Sequence, residues 1–268
     1  MDISVIIPSY KPKEYIWECL DSLARQTLSK DRYEVIIVLN GCDSPWSDRI
    51  KKYIASNNLE NNFIFIQTDR AGVSNARNLA LDHACGEYIT FVDDDDYLSA
   101  NYLGSLLALA SKDTISLSYT LAFHDGQKDF SPIKSMTANL KLPHDKKFHF
   151  VKGRNYFGGP CRKLIHRDII WTRRFDTSFS NGEDTIFMCL ISDRFHHVSF
   201  ADESTIYYRR LRSESANFNL NSRQRAKNSC RLVWALIKIY FSNPFHYNII
   251  FFASKIWGAI HWSLKRTL

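Results

Sequence analysis

Short apolar runs and longer amphipathic stretches alternate through the first hundred residues. Residues 5–7, 35–39, 63–66 and 88–92 are brief, apolar and rich in β-branched and aromatic side chains, which predicts buried strands. Between them Ile16, Leu20 and Leu23, and again Val73, Ala76 and Ala80, recur at helical spacing. Such alternation predicts an α/β fold, a mostly parallel sheet flanked by helices. Ligands of open sheets of this kind bind beyond the C-terminal ends of the strands. The sequence at those ends is therefore where chemistry is expected.

The end of the fourth run carries four consecutive aspartates, Asp93 to Asp96. Neighbouring carboxylates repel one another unless water or a cation compensates them. A divalent ion bound by one or two carboxylates and a substrate's phosphates would do so. The plainer reading is a solvated acidic turn capping a helix that begins near Leu98. The other three ends carry PSYK (8–11), NGCDS (40–44) and DRAGVSNARN (69–78). All four loops are expected on one rim, where Asn40 and Gly41 offer hydrogen-bonding groups and Arg70 and Arg77 offer cations for phosphate. Arg77 taken alone also reads as a helix-surface residue. Neither a GxGxxG nor a GxxxxGK[ST] loop occurs, so dinucleotide and P-loop readings lack support.

Composition fits a chain with a substantial core: 268 residues, 45% hydrophobic. The six cysteines are scattered without CxxC spacing, so neither a zinc cluster nor a disulfide framework is expected, and a reduced, cytoplasmic setting follows. Of the nine histidines, only His144 and His166 lie in segments of interest. The first strand begins almost at once, which leaves no room for a secretory leader. The net charge of +7 is uneven: after Glu214 there is no acid, while Arg223, Arg225, Lys227, Arg231, Lys238, Lys255, Lys265 and Arg266 are basic. The same tail is rich in Trp, Tyr and Phe, side chains that favour a membrane interface. Pro244 predicts a break between two helices. Peripheral membrane contact is the favoured expectation for this tail, with packing back on the body as the main alternative. Its longest apolar stretch is interrupted by Lys255 and His261, too short for a clean span. Nucleic acid is not expected as a partner.

Read in order, ISVIIPSYKPKEYIWECLDSLARQTL, YEVIIVLNGCDS and AGVSNARNLALDHACGEYITFVDDDDYL resemble the N-terminal half of a family 2 glycosyltransferase with the GT-A fold. The resemblance is close over the first hundred residues and looser to about 215. It implies a nucleotide-sugar-binding half, 1–115, an acceptor-binding half, 116–215, and a helical basic tail, 216–268. Asp93 and Asp95 occupy the D-x-D positions, which implies Mn²⁺ or Mg²⁺ held by Asp95 and Asp93 against the donor's diphosphate. The donor is expected on Pro8, Ser9, Tyr10, Asn40, Arg70, Arg77, Asp93 and Asp94, with Asp96 toward the acceptor.

Downstream, Glu183 and Asp184 precede a helical apolar stretch in SNGEDTIFMCLI. Acids at a helix N-terminus are favoured by its dipole alone. In context they resemble the family's acidic pair, which implies Asp184 as the general base and Glu183 as its support. The turn at Gly158, Gly159 and Pro160 resembles the acceptor-side loop, although a plain turn reads equally well. Arg209, Arg210 and Arg212 offer a further cation for the diphosphate. Where many relatives carry two aspartates in the second loop, this chain has Leu39 and Asn40; an amide still pairs with uracil or thymine, so a UDP-sugar is the first expectation. The QxxRW signature of processive synthases is absent. The resemblance thus implies an inverting, metal-dependent transfer of one sugar to a saccharide acceptor, and the basic tail together with the family's habit points to a lipid-linked oligosaccharide on the cytoplasmic face of the inner membrane. The competing readings are a sugar-phosphate nucleotidyltransferase and a non-catalytic carbohydrate-binding protein.

Overall fold

The computed structural model describes residues 1–125, 130–132, 146–212 and 221–264. His144, Lys265, Arg266 and the expected boundary at 215 lie outside the described residues. The first half follows the strict alternation β1 (Ile3–Ser9), α1 (Tyr15–Ala24), β2 (Tyr33–Asn40), α2 (Trp46–Ser56), β3 (Phe63–Thr68), α3 (Val73–His83) and β4 (Tyr88–Phe91). Every residue of β1 and β2 is buried, because helices cover both faces of a parallel sheet, and their unbroken apolar runs follow from that. The spatial order is β3-β2-β1-β4, all parallel, with Ile6 level with Ile36 and Phe91. Four C-terminal ends therefore reach one edge.

The second half adds β5 (Tyr97–Leu98), α4 (Tyr102–Leu107), β6 (Thr114–Leu117), β7 (Tyr119–His124), β8 (Ser131–Pro132), β9 (Phe148–His149), a 3₁₀ turn (Phe150–Tyr156), β10 (Lys163–His166), α5 (Arg167–Ile170), α6 (Glu183–Leu190), β11 (His197–Phe200) and β12 (Ile206–Leu211). Strand β10 lies antiparallel between β4 and β6 and extends the main sheet to eight strands; β5, β12, β7 and β8 form a smaller one. No helix starts near Leu98. Tyr97 and Leu98 instead pair with β12, where Tyr97 stacks on Tyr208 with ring centroids 4.5 Å apart, and the helix begins at Tyr102. That pairing draws β12 alongside the aspartates.

Helix α6 is fixed by an aromatic stack. Phe187 lies on Phe175 with centroids 3.8 Å apart, and Phe175 meets the edge of Phe91 at 5.5 Å. The C-terminal end of β4 and the middle of α6 are thereby held in one core.

The tail forms α7 (Ser222–Ser242) and α8 (Ile249–Leu264), separated at the segment holding Pro244. A capping box of Asn221 and Gln224 starts α7. The hairpin packs on the body by one side: Leu236, Phe251 and Phe252 are buried, Phe251 meets Phe150 at 5.2 Å, and the Tyr247 hydroxyl donates to the Leu190 carbonyl at 3.0 Å. Among the described residues no helix is long and apolar enough to cross a membrane. Phe251→Ala is expected to destabilise the whole protein by about 3–5 kcal/mol in urea unfolding. A midpoint unmoved by that change would mean that the tail is not part of the cooperative fold.

Candidate active site

Past Phe91 the chain extends one more residue, with the Val92 N–H donating to the Ile6 carbonyl at 3.0 Å, and then turns tightly as the Asp96 N–H donates to the Asp93 carbonyl at 3.1 Å. Four successive carboxylates consequently radiate toward four different partners. Asp93 receives Arg77 Nη2 at 3.1 Å, Asp94 receives Ser9 Oγ at 2.6 Å, Asp95 receives Arg212 Nε at 2.6 Å, and Asp96 receives the Arg210 N–H at 2.8 Å. The Tyr207 hydroxyl accepts from the Asp93 N–H at 3.2 Å and steadies the Asp96 carboxylate.

These partners do not balance the charge. Burial pushes Asp94 up to about 7 and Asp95 up to about 6, with neighbouring carboxylates adding to both. Asp96 is raised well above the carboxylate range by burial, then by Asp95 and Asp93. The turn is short of positive charge.

The second acidic cluster arrives from α6. Gly182 adopts φ +96° at its N-cap, and Glu183 and Asp184 occupy the first turn, where the helix dipole favours anions. Arg77, buried on α3, reaches both clusters: Nη1 lies 2.5 Å from Asp184 Oδ1 while Nη2 holds Asp93. Burial opposes its charge, yet Asp184 and Asp93 outweigh burial and hold its pKa above the ordinary value. Asp184 is raised by burial against the pull of Arg77, and Glu183 by burial and then by Asp184. The Glu183 Oε2 atom is buried without a hydrogen-bond partner.

The remaining loops close around this core. Gly41, at φ +61°, leaves no room for a Cβ, which would stand 2.5 Å from Ala71 Cβ and 3.2 Å from Tyr10 Cε2. Three strand ends thus touch at one glycine. Asn40 is 1% exposed, donating to the Ser9 carbonyl at 2.6 Å and accepting from the Gly72 N–H at 2.9 Å. Its amide is engaged inside the protein and shapes the rim instead of facing a base. Pro8 lies in the buried strand β1, while Tyr10 and Arg70 are exposed on the rim. On the other side, a Cβ on Gly159 would stand 3.2 Å from Asp184 Oδ2. The turn at Gly158 and Gly159 therefore runs directly beside that carboxylate, tied by Thr185 Oγ1 to the Gly158 carbonyl at 3.2 Å.

Residues 4–174 match the family profile described as Glycosyl transferase family 2. The chain belongs to that family. It is 28% identical over 214 residues to the minor teichoic acid biosynthesis protein GgaB of Bacillus subtilis strain 168, covering 78% of this chain and 23% of GgaB. The chain spans less than two thirds of the length of the first curated relatives it matches. Its fold superposes on Staphylococcus aureus TarS 1–349 in complex with UDP-GlcNAc with TM-score 0.75, at 22% identity, over 100% of this chain and 74% of that one. The mannosyltransferase PcManGT of Pyrobaculum calidifontis, in complex with GDP-Man and Mn²⁺, superposes with TM-score 0.66 at 15% identity, over 97% of this chain and 69% of that one. The architecture is the GT-A fold.

The donor atoms suit the cation that this family 2 fold implies. Hard carboxylate oxygens match Mg²⁺ or Mn²⁺, and three of the four aspartates have pKa values raised by burial and then by their neighbouring carboxylates. Among the described residues no three His, Cys, Asp or Glu side chains converge as a preformed cage. Arg212, 37% exposed and also bonded to the Tyr15 hydroxyl at 2.7 Å, is the cation beside Asp95. Arg210 is turned inward to the Asp95 carbonyl, Glu18 and Asp125.

Two contributors escape sequence reading. Lys163 is buried, its Nζ donating to the carbonyls of Gly159 at 2.6 Å and Cys161 at 3.0 Å, and burial lowers its pKa well below the ordinary value. It pins the turn beside Asp184. Tyr207 is likewise buried, and only the pairing of β12 identifies which of two adjacent tyrosines faces the aspartates. His166 caps α5 and bonds Glu87 at 3.2 Å, a structural role.

The raised carboxylates set a pH dependence. Their folded pKa values exceed the unfolded ones, so between about pH 4 and pH 7 the folded protein binds the extra protons, and these groups lend stability as pH falls through that window. In EDTA, Asp94→Asn is therefore expected to raise the melting temperature at about pH 8, with the difference shrinking as pH falls and gone only below about pH 4. An equal shift at both pH values would show that the Asp94 charge is not the cause.

Proposed function

We propose that this chain is an inverting glycosyltransferase of bacterial cell-wall or polysaccharide synthesis, moving one sugar from a nucleotide-sugar to a saccharide hydroxyl. One observation carries the reading: Arg77 joins Asp93 and Asp184, so the donor-side and acceptor-side acids share one cleft. Family membership and the teichoic acid relative GgaB support it. A UDP-sugar is the proposed donor, in keeping with the UDP-GlcNAc bound by TarS.

In this reading Ser9, Tyr10, Arg70 and the aspartate turn face the donor, and Asn40 acts indirectly by holding the rim. Asp93 and Asp95 hold Mn²⁺ or Mg²⁺, which when bound neutralises charge on the departing diphosphate. Arg212 adds a second cation on that side. Asp184 takes the acceptor proton; burial raises its pKa, which strengthens it as a base. Glu183 supports it, and the turn at Gly158 and Gly159 lets the acceptor approach the base. A single displacement from the face opposite the diphosphate inverts the anomeric centre. The acceptor is proposed to be lipid-linked, with the protein peripheral on the cytoplasmic face of the inner membrane.

Thermal stabilisation by UDP-, GDP- and dTDP-sugars with and without Mn²⁺ tests donor class and metal together. Stabilisation by a UDP-sugar that requires Mn²⁺ is expected, and its loss in Asp95→Ala. Asp184→Asn is expected to keep that stabilisation while transfer falls by about 10²–10⁴-fold. Near-normal transfer by Asp184→Asn would refute the base assignment.

A further inference from the structure

The outer side of the tail hairpin is apolar where solvent-facing helices are charged. Helix α2 presents Asp48, Lys51 and Lys52 to water. Around the hairpin tip, by contrast, Phe241 is 70% exposed, Phe245 97%, Ile249 62% and Ile250 60%. These four residues span the end of α7, the connection and the first turn of α8. Exposed Trp234 and Trp257 continue the surface along the two helices. The inner side is already satisfied by the body through Leu236, Phe251 and Phe252, so the outer residues serve no core.

The tail's own charge has one sign. No acid follows Glu214, and exposed Lys238 lies one turn before Phe241, its Nζ 5.5 Å from the Trp234 ring centroid. The body contributes exposed Trp171 with Arg194 over its ring at 5.4 Å. Beneath the tip, Asp193 and the cations Arg173 and Arg194 all act on the Tyr247 hydroxyl, and Asp193 is already paired with Arg173 at 2.5 Å. An aliphatic and aromatic centre bordered by tryptophan and cations complements a lipid headgroup layer of negative charge. Nucleic acid would find no use for Ile249 and Ile250.

We propose that the α7–α8 tip docks this protein on the surface of an anionic lipid bilayer, with Phe241, Phe245, Ile249 and Ile250 entering the headgroup boundary and Lys238 on its phosphates. The proposal rests on the membrane-linked acceptor of the preceding section for its purpose, and on the exposed tip for its evidence. It also fixes an orientation. Tyr247 is bonded to Leu190 at the end of α6, and Asp184 lies in the first turn of that helix, so the base and the Tyr247 contact beneath the tip are separated by about 9 Å along the helix axis.

Co-sedimentation of the full chain with phosphatidylcholine vesicles, with and without phosphatidylglycerol, tests this. Binding is expected only with phosphatidylglycerol, weakening as salt rises. The triple variant Phe245→Ser, Ile249→Ser, Ile250→Ser should lose at least about tenfold in binding, and Lys238→Gln about fivefold. All four side chains are exposed, so melting temperatures should stay unchanged. Equal pelleting with and without phosphatidylglycerol, undiminished binding of the triple variant, or a dimer in light scattering that the triple variant dissolves would each overturn the proposal. Nucleotide-sugar stabilisation measured on the same preparations separates the two readings. Stabilisation without vesicle binding refutes the docking surface alone, and vesicle binding without stabilisation by any donor refutes the transferase reading and leaves the surface standing.

Discussion

Repulsion among carboxylates is the constraint that organises this molecule. Asp93 to Asp96 and the pair Glu183 and Asp184 occupy one cleft, and two like charges about 4 Å apart cost on the order of 4 kcal/mol near a protein surface. Guanidinium groups meet part of that cost from two sides: Arg77 from α3 holds Asp93 and Asp184, and Arg212 from just past β12 holds Asp95, while Arg210 gives Asp96 its backbone N–H. Arg77 matters most because its two nitrogens hold acids from both halves of the chain. A buried cation so placed is costly to remove, since its partners would stay buried and unpaired. The two halves are joined electrostatically at the point where donor and acceptor would meet.

Much of this was legible in sequence because it rests on period and charge density. Alternating apolar runs and helical spacing foretold the parallel half. Four acids at a strand end, and two more before an apolar helix, stood out because unpaired carboxylates need an explanation. What sequence could not show was which side chains turn inward. Asn40 reads as a base-facing amide, yet the loops of β1 and β3 consume its hydrogen bonds. Lys163 carries no signal in the sequence, yet it is buried against the Gly159 carbonyl. Tyr97 and Leu98 read as the approach to a helix, and their role as a strand depends on β12, more than a hundred residues later. The Asn40 and Tyr97 contacts are long-range pairings that local pattern does not encode, and the Lys163 contact is a local one that only its burial reveals.

The tail shows why amphipathic segments resist a single reading. Its aromatic residues divide between a side that packs on Phe150 and Leu190 and a side that faces outward. Packing and docking were competing expectations for one stretch of sequence, and a two-sided hairpin accommodates both. The contact between α7 and the base helix gives that arrangement a mechanical consequence. Gly182, in the left-handed region at the N-cap of α6, would place a Cβ 3.1 Å from Leu232 Cδ2. Helix α7 therefore rests against the residue that starts the first turn carrying Glu183 and Asp184, and Asn228 donates to the Asn181 carbonyl at 3.0 Å just before it. A hairpin seated on a surface would hold the acidic pair at a set height above it. On the proposed reading, the same hairpin that binds the body would position the base relative to an acceptor tethered in that surface.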